Sequence, residues 1–479
     1  MQLNLHIAKL KTVHILIFGF ILYFFVLVIN DGFMALDEYW VGITRYIPAQ
    51  SSSLMSLVAA DDVKSPLQLL PMHLIAQTAL SMGIVSPYWQ YRSVIFFLGI
   101  IAFFLLFLSF IKFSKLNNFN QSETNFLLYM FIFYFAGPFV FTRPMFESVA
   151  APWLALAAVT ALIYDETEKL RDLLWGVVLA SVAFVLRQQL GFCALVFILL
   201  PVFKKKWKHL LYASGVGLLF FIIAGIPDYF IRGKFHYSLL NLTLYNYEHG
   251  SDYGNRSLFF YPIFIIGAAF IPFLIKKYPE LVTKNYLKKY RSLLIMLGLF
   301  IFLHSLFPQK WERFVISIIP ILIFLTFPFL YYLQQNFKTN KLRLISLYAL
   351  NGCLFLVASF FPAQKNLIEM SLYLDQHSEV KKIFRVANTP EWITEVFILN
   401  KHFEFIETNQ EQINSVDWAD CGNMLVIGQA QAASFKPITE QLKLNAQFNV
   451  NLIEQLAFEF NPKNNLRRVQ LSLYSGCDR

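Results

Sequence analysis

Long apolar runs recur from Val13 to Phe361, with short charged loops between them. A chain segment in hydrocarbon must satisfy its own backbone N–H and C=O groups, so runs of this kind fold as helices unless they close into a barrel. A crossing needs about 20 apolar residues, fewer where neighbouring helices cover a short one. On that criterion about eleven spans are expected. They lie near Val13 to Asn30, Tyr91 to Ile111, Asn125 to Phe141, Val149 to Tyr164, Leu173 to Leu186, Leu190 to Phe203, Leu210 to Ile226, Leu258 to Ile275, Ser292 to Leu306, Val315 to Leu333 and Leu342 to Phe361. A composition 57% hydrophobic and only 15% charged, with 52 Phe, excludes an ordinary soluble domain. The expected fold class is a polytopic α-helical membrane protein.

The loops alternate in character. Lys9 and Lys11, Lys112 and Lys115, Lys169 and Arg171, Lys204 to Lys208, Lys276 to Arg291 and Lys338 to Arg343 fall on one side, which the positive-inside bias makes cytoplasmic. The net charge of +10 is thereby accounted for by topology, and no nucleic-acid partner is expected. An odd number of spans puts the N-terminus inside and the C-terminus outside. The opposite side collects Asp37-Glu38, Asp61-Asp62, Lys64-Ser65, Arg143, Glu147, Arg187, the loop from Asp228 to Arg256, and Pro308 to Phe314. Arginines outside the cytoplasm run against the bias, so a purely solvated loop explains them poorly, although snorkelling at a span end is open to each one singly.

Two soluble regions are expected. Residues of about 31–90 form a first external loop in which Leu67 to Met82 has helical apolar spacing, read as interfacial or partly inserted. The chain therefore divides into a membrane region, 1–362, and a C-terminal α/β domain, 363–479, with strands at Val380 to Val386, Met424 to Ile427, Leu456 to Phe460 and Val469 to Leu473. Cys193 and Cys353 sit in apolar runs and read as buried thiols, whereas Cys421 and Cys477 are placed to bridge if the tail is outside. There is no Cys-x-x-Cys, no His-Glu-x-x-His and no phosphate-binding glycine loop closed by Lys-Ser or Lys-Thr, so zinc, redox and nucleotide-loop chemistry lack support. Of the histidines, His304 reads as a helix residue, and His249 stands between loop and substrate roles.

The chemistry-bearing stretch is Leu36 to Trp40, just past the first span. A carboxylate that close to lipid needs a reason. Sugar transfer from a lipid phosphate would supply one. The phosphate is already a good leaving group, so one base and a cationic clamp suffice, where glycoside hydrolysis needs two carboxyl groups. Asp37 is the candidate base. Glu38 either raises one of the pair's pKa values by like-charge repulsion, or orients a helix, or binds a sugar hydroxyl. Arg143, Arg187, Arg256, Lys310 and Arg313 are the candidate phosphate ligands.

Five motifs in order carry a family resemblance. Leu36-Asp37-Glu38-Tyr39 resembles a Pro-Asp-Glu motif, with Leu36 for the proline; Lys64-Ser65-Pro66-Leu67 is similar to an Arg-Ser element. Arg143 to Glu147 resembles an Arg, Asn, Glu element without its Asn. Asp228-Tyr229, Asn241, Tyr245-Asn246 and Tyr253-Gly254 resemble an external loop. Pro308-Gln309-Lys310-Trp311-Glu312-Arg313-Phe314 resembles a His-Lys-Glu-Glu-Arg-Phe signature, with Gln309 for the His and Trp311 for the first Glu. Together they resemble glycosyltransferase family 22, the GT-C enzymes that move mannose from a polyprenyl-phosphate carrier to lipid-linked glycans.

The resemblance implies an inverting transferase of GT-C fold, in which Asp37 is the base and Glu38 its acidic neighbour. It implies that Lys64, Ser65, Glu147, Asp228, Tyr229, Asn246, Tyr253, Gln309 and Glu312 contact substrate. The partners expected are membrane lipids, a polyprenyl-phosphate sugar and a lipid-linked or glycan acceptor, with no cofactor and no obligatory metal. A bacterial inner membrane with a periplasmic site is the expected setting, the endoplasmic reticulum with a luminal site the alternative. A lipid-linked glycan flippase or a non-catalytic accessory chain is the rival reading; transporters place ionisable groups at the midplane in matched halves, which this sequence lacks.

Overall fold

The computed structural model describes residues 11–35, 38–47, 63–252, 254–274, 282–386, 394–399, 402–462, 465 and 468–477. Lys9, Leu36, Asp37, Asp61, Asp62, Tyr253 and the start of the Lys276 to Arg291 loop lie outside the described residues. In chain order the longer helices are α1 (Thr12–Ile29), α2 (Pro66–Ser81), α3 (Pro87–Leu116), α4 (Gln121–Ile132), α5 (Phe146–Thr167), α6 (Leu170–Leu186), α7 (Leu195–Phe203), α8 (Trp207–Arg232), α9 (Tyr237–Glu248), α10 (Phe260–Ala268), α11 (Arg291–Leu306), α12 (Ile319–Gln335), α13 (Phe337–Phe360), α14 (Lys365–Gln376) and α15 (Leu452–Phe460). Among the described residues of the tail there are five strands: β1 (Lys382–Val386), β2 (Glu404–Thr408), β3 (Asn423–Gly428), β4 (Lys443–Phe448) and β5 (Leu471–Ser475). Helix occupies each of the eleven apolar stretches, and among the described residues six helices are by themselves long and apolar enough to cross a membrane.

The chain forms two compact units, neither a single run of sequence: residues 1–27, 51–75 and 94–356, and residues 28–50, 76–93 and 357–479. In the first, phenylalanines do much of the packing. Phe110 lies 4.8 Å from Phe131 and 4.7 Å from Phe324, and Phe113 lies 4.5 Å from Phe324, so a seam of rings joins α3, α4 and α12. Such offset pairs add about 0.5–1.5 kcal/mol each beyond the area they bury. Helices α5 and α6 pack through small residues, with Ala150, Ala151, Ala155, Ala157 and Ala158 buried on α5. At one end of this unit Asp165 pairs with Lys204 (3.2 Å) and Arg291 (2.7 Å), and Glu168 pairs with Lys204 and Lys206. The end of α5, the end of α7 and the start of α11 therefore share one side. The two lysines hold the Glu168 carboxyl below its ordinary value.

In the second unit three span ends meet. The Asn30 side chain donates to the carbonyls of Ala358 and Ser359, and Arg92 donates to Val28, which joins the ends of α1, α3 and α13. Gly32 packs against the Ala363 backbone so closely that an added Cβ would stand 2.1 Å from its carbonyl oxygen. The tail sheet has the order β2-β1-β3-β5-β4, with β1 parallel to β2 and β3, and β5 antiparallel to β3 and β4. Alternate strand residues feed two cores. Ile383, Met424, Val426 and Leu473 pack with Leu367, Met370 and Leu374 of α14; Phe384, Leu425 and Ile427 pack with Phe435 and Ile438. A Cys421–Cys477 disulfide fixes the end of β5 to the turn before β3.

Three expectations are corrected. Leu456 to Phe460 is helix, not strand: Asn451 caps the Glu454 backbone N–H and starts a helix that runs through the segment. Strands β2 and β4 were not expected, and β5 runs from Leu471 to Ser475 in place of Val469 to Leu473. Cys193 is buried, but Cys353 is exposed on α13, because an apolar run selects against water and not against lipid.

Candidate active site

Glu147 opens α5, where the helix dipole favours a carboxylate, and only 3% of it is exposed. Arg187, in extended backbone immediately after α6, reaches it at 2.9 Å. Arg313, in the short turn Glu312–Ile318 before α12, approaches to 3.8 Å. One carboxylate thus faces two guanidiniums. Phe314 lies under both cations, 5.0 Å from Arg187 and 5.5 Å from Arg313. Arg143, four residues before Glu147, is 1% exposed and stacks on Phe139 at 4.4 Å.

The signature loop supplies a second group. Arg256 pairs with Glu312 at 2.5 Å and stacks on Phe260 (4.6 Å) and Trp311 (5.0 Å); Arg313 lies 5.9 Å from the same Trp311 ring. Lys310 is buried and donates to the carbonyls of Phe307 (2.5 Å) and Arg256 (3.2 Å). Among the described residues no carboxylate pairs with it. Burial holds its ammonium below the ordinary lysine value. If the ammonium serves the reaction, activity falls with rising pH earlier than an ordinary lysine, near 10.4, would dictate. Lys310→Arg should move that alkaline limb upward, which a pH profile of initial rates will show.

Asp228 is wholly buried and fully engaged: it accepts from the Ser238 N–H (2.9 Å) and hydroxyl (2.6 Å) and pairs with Arg232. Arg232 in turn donates to the Lys64 carbonyl (3.0 Å), and Gln188 to the Ser238 hydroxyl (3.0 Å). Lys64 lies over Phe146 at 5.5 Å, and Ser65 accepts from the Leu67 N–H at the start of α2. Asn246 and Gln309 line a cavity of about 230 Å³, with Gln188, Gln189, His304 and Phe314 in its wall. A larger cavity, about 410 Å³, opens between α4, α12 and α13 and contains none of the expected site residues.

Most of the expected residues in the first unit are therefore drawn into one chain of contacts. Tyr229 is not among them: it is 57% exposed, turned about 100° around α8 from Asp228. His249 pairs with Asp252 (2.9 Å), and the His304 Nδ1 donates to the Phe300 carbonyl (3.1 Å). Arg232, Gln188 and Ser238 were missed; the i, i+4 spacing of Asp228 and Arg232 was the readable signal for the first. Groups of three or more His, Cys, Asp or Glu fit to hold a metal do not occur among the described residues.

Glu38 belongs to the second unit, in the π-type turn Glu38–Ile43. It is 1% exposed, and both oxygens are used: one accepts from the Tyr91 hydroxyl at 2.7 Å, the other from the Met34 N–H at 3.0 Å. Next to it the Tyr39 hydroxyl accepts from the Val396 N–H (3.1 Å), and Phe397 sits among the rings of Phe33, Tyr39, Tyr88 and Tyr91. The Tyr91 and Met34 hydrogen bonds hold the Glu38 carboxylate in a fixed orientation.

Residues 11–405 match the Alg9-like mannosyltransferase family. The chain belongs to that family. Membership covers the whole helical region and the first part of the tail, with every expected site residue inside it. Among solved structures the chain is similar to ArnT from Cupriavidus metallidurans in the apo state, at TM-score 0.61 and 12% identity over 97% of both chains. It is equally similar to ArnT from the same organism bound to undecaprenyl phosphate, at TM-score 0.61 and 10% identity over 97% of this chain and 98% of that one. At such identities the likeness is one of fold: a polytopic membrane protein of GT-C type. No curated protein sequence matches the chain significantly. Family and fold together make it a GT-C glycosyltransferase.

Proposed function

We propose that this protein moves a hexose, mannose by family, from a polyprenyl-phosphate donor to a lipid-linked or glycan acceptor, with inversion at the anomeric carbon. The observation that carries this reading is the cluster at Glu147, where Arg187 and Arg313 both approach one buried carboxylate. Binding of undecaprenyl phosphate by the similarly folded ArnT supports it. Asp37 takes the proton from the acceptor hydroxyl as the new bond to the anomeric carbon forms. The bond from that carbon to the phosphate oxygen breaks, and the polyprenyl phosphate leaves with the electron pair. Arg143, Arg187, Lys310 and Arg313 stabilise the phosphate charge. Arg256, already paired with Glu312, holds the Trp311 loop. Asn246 and Gln309 are placed for sugar or acceptor hydroxyls. Glu147 and Asp228 hold the cationic groups and loops in register. With cations supplied by side chains, no metal is required.

In this reading all eleven helical stretches cross the membrane, with the N-terminus inside and the tail outside. The lysine-rich ends gathered by Asp165 and Glu168 face the cytoplasm, and catalysis takes place on the far side of a bacterial inner membrane. The Cys421–Cys477 disulfide fits an oxidising compartment for the tail. The test is a donor panel with purified protein in proteoliposomes and chelator present. Transfer from polyprenyl-phosphate mannose is expected, and none from a nucleotide sugar. Transfer from the nucleotide sugar alone, or only after a divalent ion is restored, overturns the proposal.

A further inference from the structure

Helix α15 is amphipathic in an unusual way. Turning by about 100° per residue, Ile453, Glu454, Ala457 and Phe458 share one arc, and Phe458 packs against the sheet core. The opposite arc holds two adjacent stripes. Gln455 and Glu459 form a polar stripe, hydrogen-bonded to each other at 3.1 Å. Beside it Leu452, Leu456 and Phe460, at i, i+4 and i+8, form an apolar stripe that is 62%, 39% and 87% exposed. Three large apolar side chains in a row on the outside of a soluble domain mark a surface that meets something other than water.

The same unit shows what that is. The last span, α13, ends at Phe360, and two hydrogen bonds tie the start of α15 to the chain where it leaves the span. The Asn451 side chain donates to the Pro362 carbonyl at 2.8 Å, and the buried Glu454 carboxylate accepts from the Gln364 N–H at 2.8 Å. Arg468 approaches the same carboxylate at 3.9 Å. The beginning of α15 is thus held within a few residues of the level at which a membrane helix emerges. Nine residues of helix span about 13 Å, so the whole stripe stays within about that distance of the anchor. A polar flank beside an apolar flank is the arrangement of a helix lying in the interfacial plane, where the apolar side enters about 5–10 Å and the polar side stays wet.

We propose that α15 is a membrane-docking helix: Leu452, Leu456 and Phe460 insert among the lipids of the leaflet at which α13 ends, and seat the tail sheet on the bilayer. The occupant is lipid, not a second protein, because the anchor that fixes the helix is itself a span end. The inference requires only that α13 cross the membrane, and is independent of the sugar transferred.

The test uses the full chain in phosphatidylethanolamine/phosphatidylglycerol nanodiscs. In a Cys193→Ala, Cys353→Ser background that keeps the native disulfide, a nitroxide is attached singly at Leu452→Cys, Gln455→Cys, Leu456→Cys, Glu459→Cys and Phe460→Cys. All five positions are exposed in the fold, so the label leaves the core intact. Collisions with oxygen, which partitions into lipid, are compared with collisions with a water-soluble nickel chelate. The expected result is a ratio that inverts along the helix: oxygen favoured at Leu456 and Phe460, nickel favoured at Gln455 and Glu459. Nickel favoured at all five positions overturns the proposal in favour of a solvated surface. Poor access to both reagents at Leu456 and Phe460 overturns it in favour of a protein partner or a second copy.

Discussion

Asp37→Asn is expected to lower transfer by roughly 10²- to 10⁴-fold, the share that a positioned general base supplies. Asn matches Asp in size and keeps a hydrogen-bonding side chain, so the variant should insert and fold as the parent does. The neighbouring residue makes this a sharp comparison. Glu38 is buried, and its two oxygens already accept from the Tyr91 hydroxyl and the Met34 N–H, so taking over the proton would disturb two formed hydrogen bonds. Steady-state transfer by folded Asp37→Asn protein at the parent's rate would remove Asp37 from the mechanism. A loss of rate with unchanged donor affinity is the expected pattern, since the base acts on the acceptor and not on the phosphate.

Glu147→Ala is expected to act on stability first. Glu147 is the carboxylate between Arg187 and Arg313, with side-chain exposures of 4%, 10% and 20%. Removing one partner of a buried ion pair leaves the other charge desolvated, typically at about 3–5 kcal/mol. The end of α6 and the turn Glu312–Ile318 should loosen together, because Glu147 is what both approach. The Glu147 backbone carbonyl, which accepts from the Ser317 hydroxyl at 3.3 Å, remains and keeps part of that link. A thermal midpoint measured in detergent should fall well below that of the parent. Tyr229→Ala, at an exposed ring outside the network, should stay within about 0.5 kcal/mol. Equal midpoints for the two variants would show that Glu147 does not hold the site together.

These expectations draw on parts of the chain that were readable to different degrees. The helical stretches were legible because an apolar run in lipid leaves the backbone few alternatives. The grouping of Glu147, Arg187 and Arg313 was legible as cations on the wrong side of a charge bias, but which cation meets which acid was not; that depends on how α5, α6 and the turn before α12 pack. In the tail, β1 and β3 were found because they are central and apolar on both faces. Strands β2 and β4 are the two edges of the sheet, carry Glu404, Glu407, Lys443 and Gln447, and so lack the alternation that marks a half-buried strand. Leu456-Ala457-Phe458-Glu459-Phe460 does show that alternation, and it misled. Only Phe458 of its large apolar residues faces the core; Leu456 and Phe460 form the exposed stripe.

Asp228 shows the same limit from another direction. Its position in an external loop of the family pattern suggested substrate, whereas Ser238 and Arg232 occupy its oxygens. A carboxylate so fully engaged shapes the loop after α8 and holds the Lys64 carbonyl through Arg232. Gln309, which stands where the family has a histidine, does reach the wall of the cavity with Asn246. An amide there donates and accepts without titrating, so that position offers hydrogen bonds and no proton transfer.

The most direct measurement is the anomeric configuration of the product. Purified protein in proteoliposomes is given a polyprenyl-phosphate mannose of defined configuration together with a lipid-linked acceptor, and the new linkage is read by NMR. Direct attack by a hydroxyl that Asp37 deprotonates, with polyprenyl phosphate leaving from the opposite face, predicts the inverted anomer. A product with the donor's configuration retained would contradict the account.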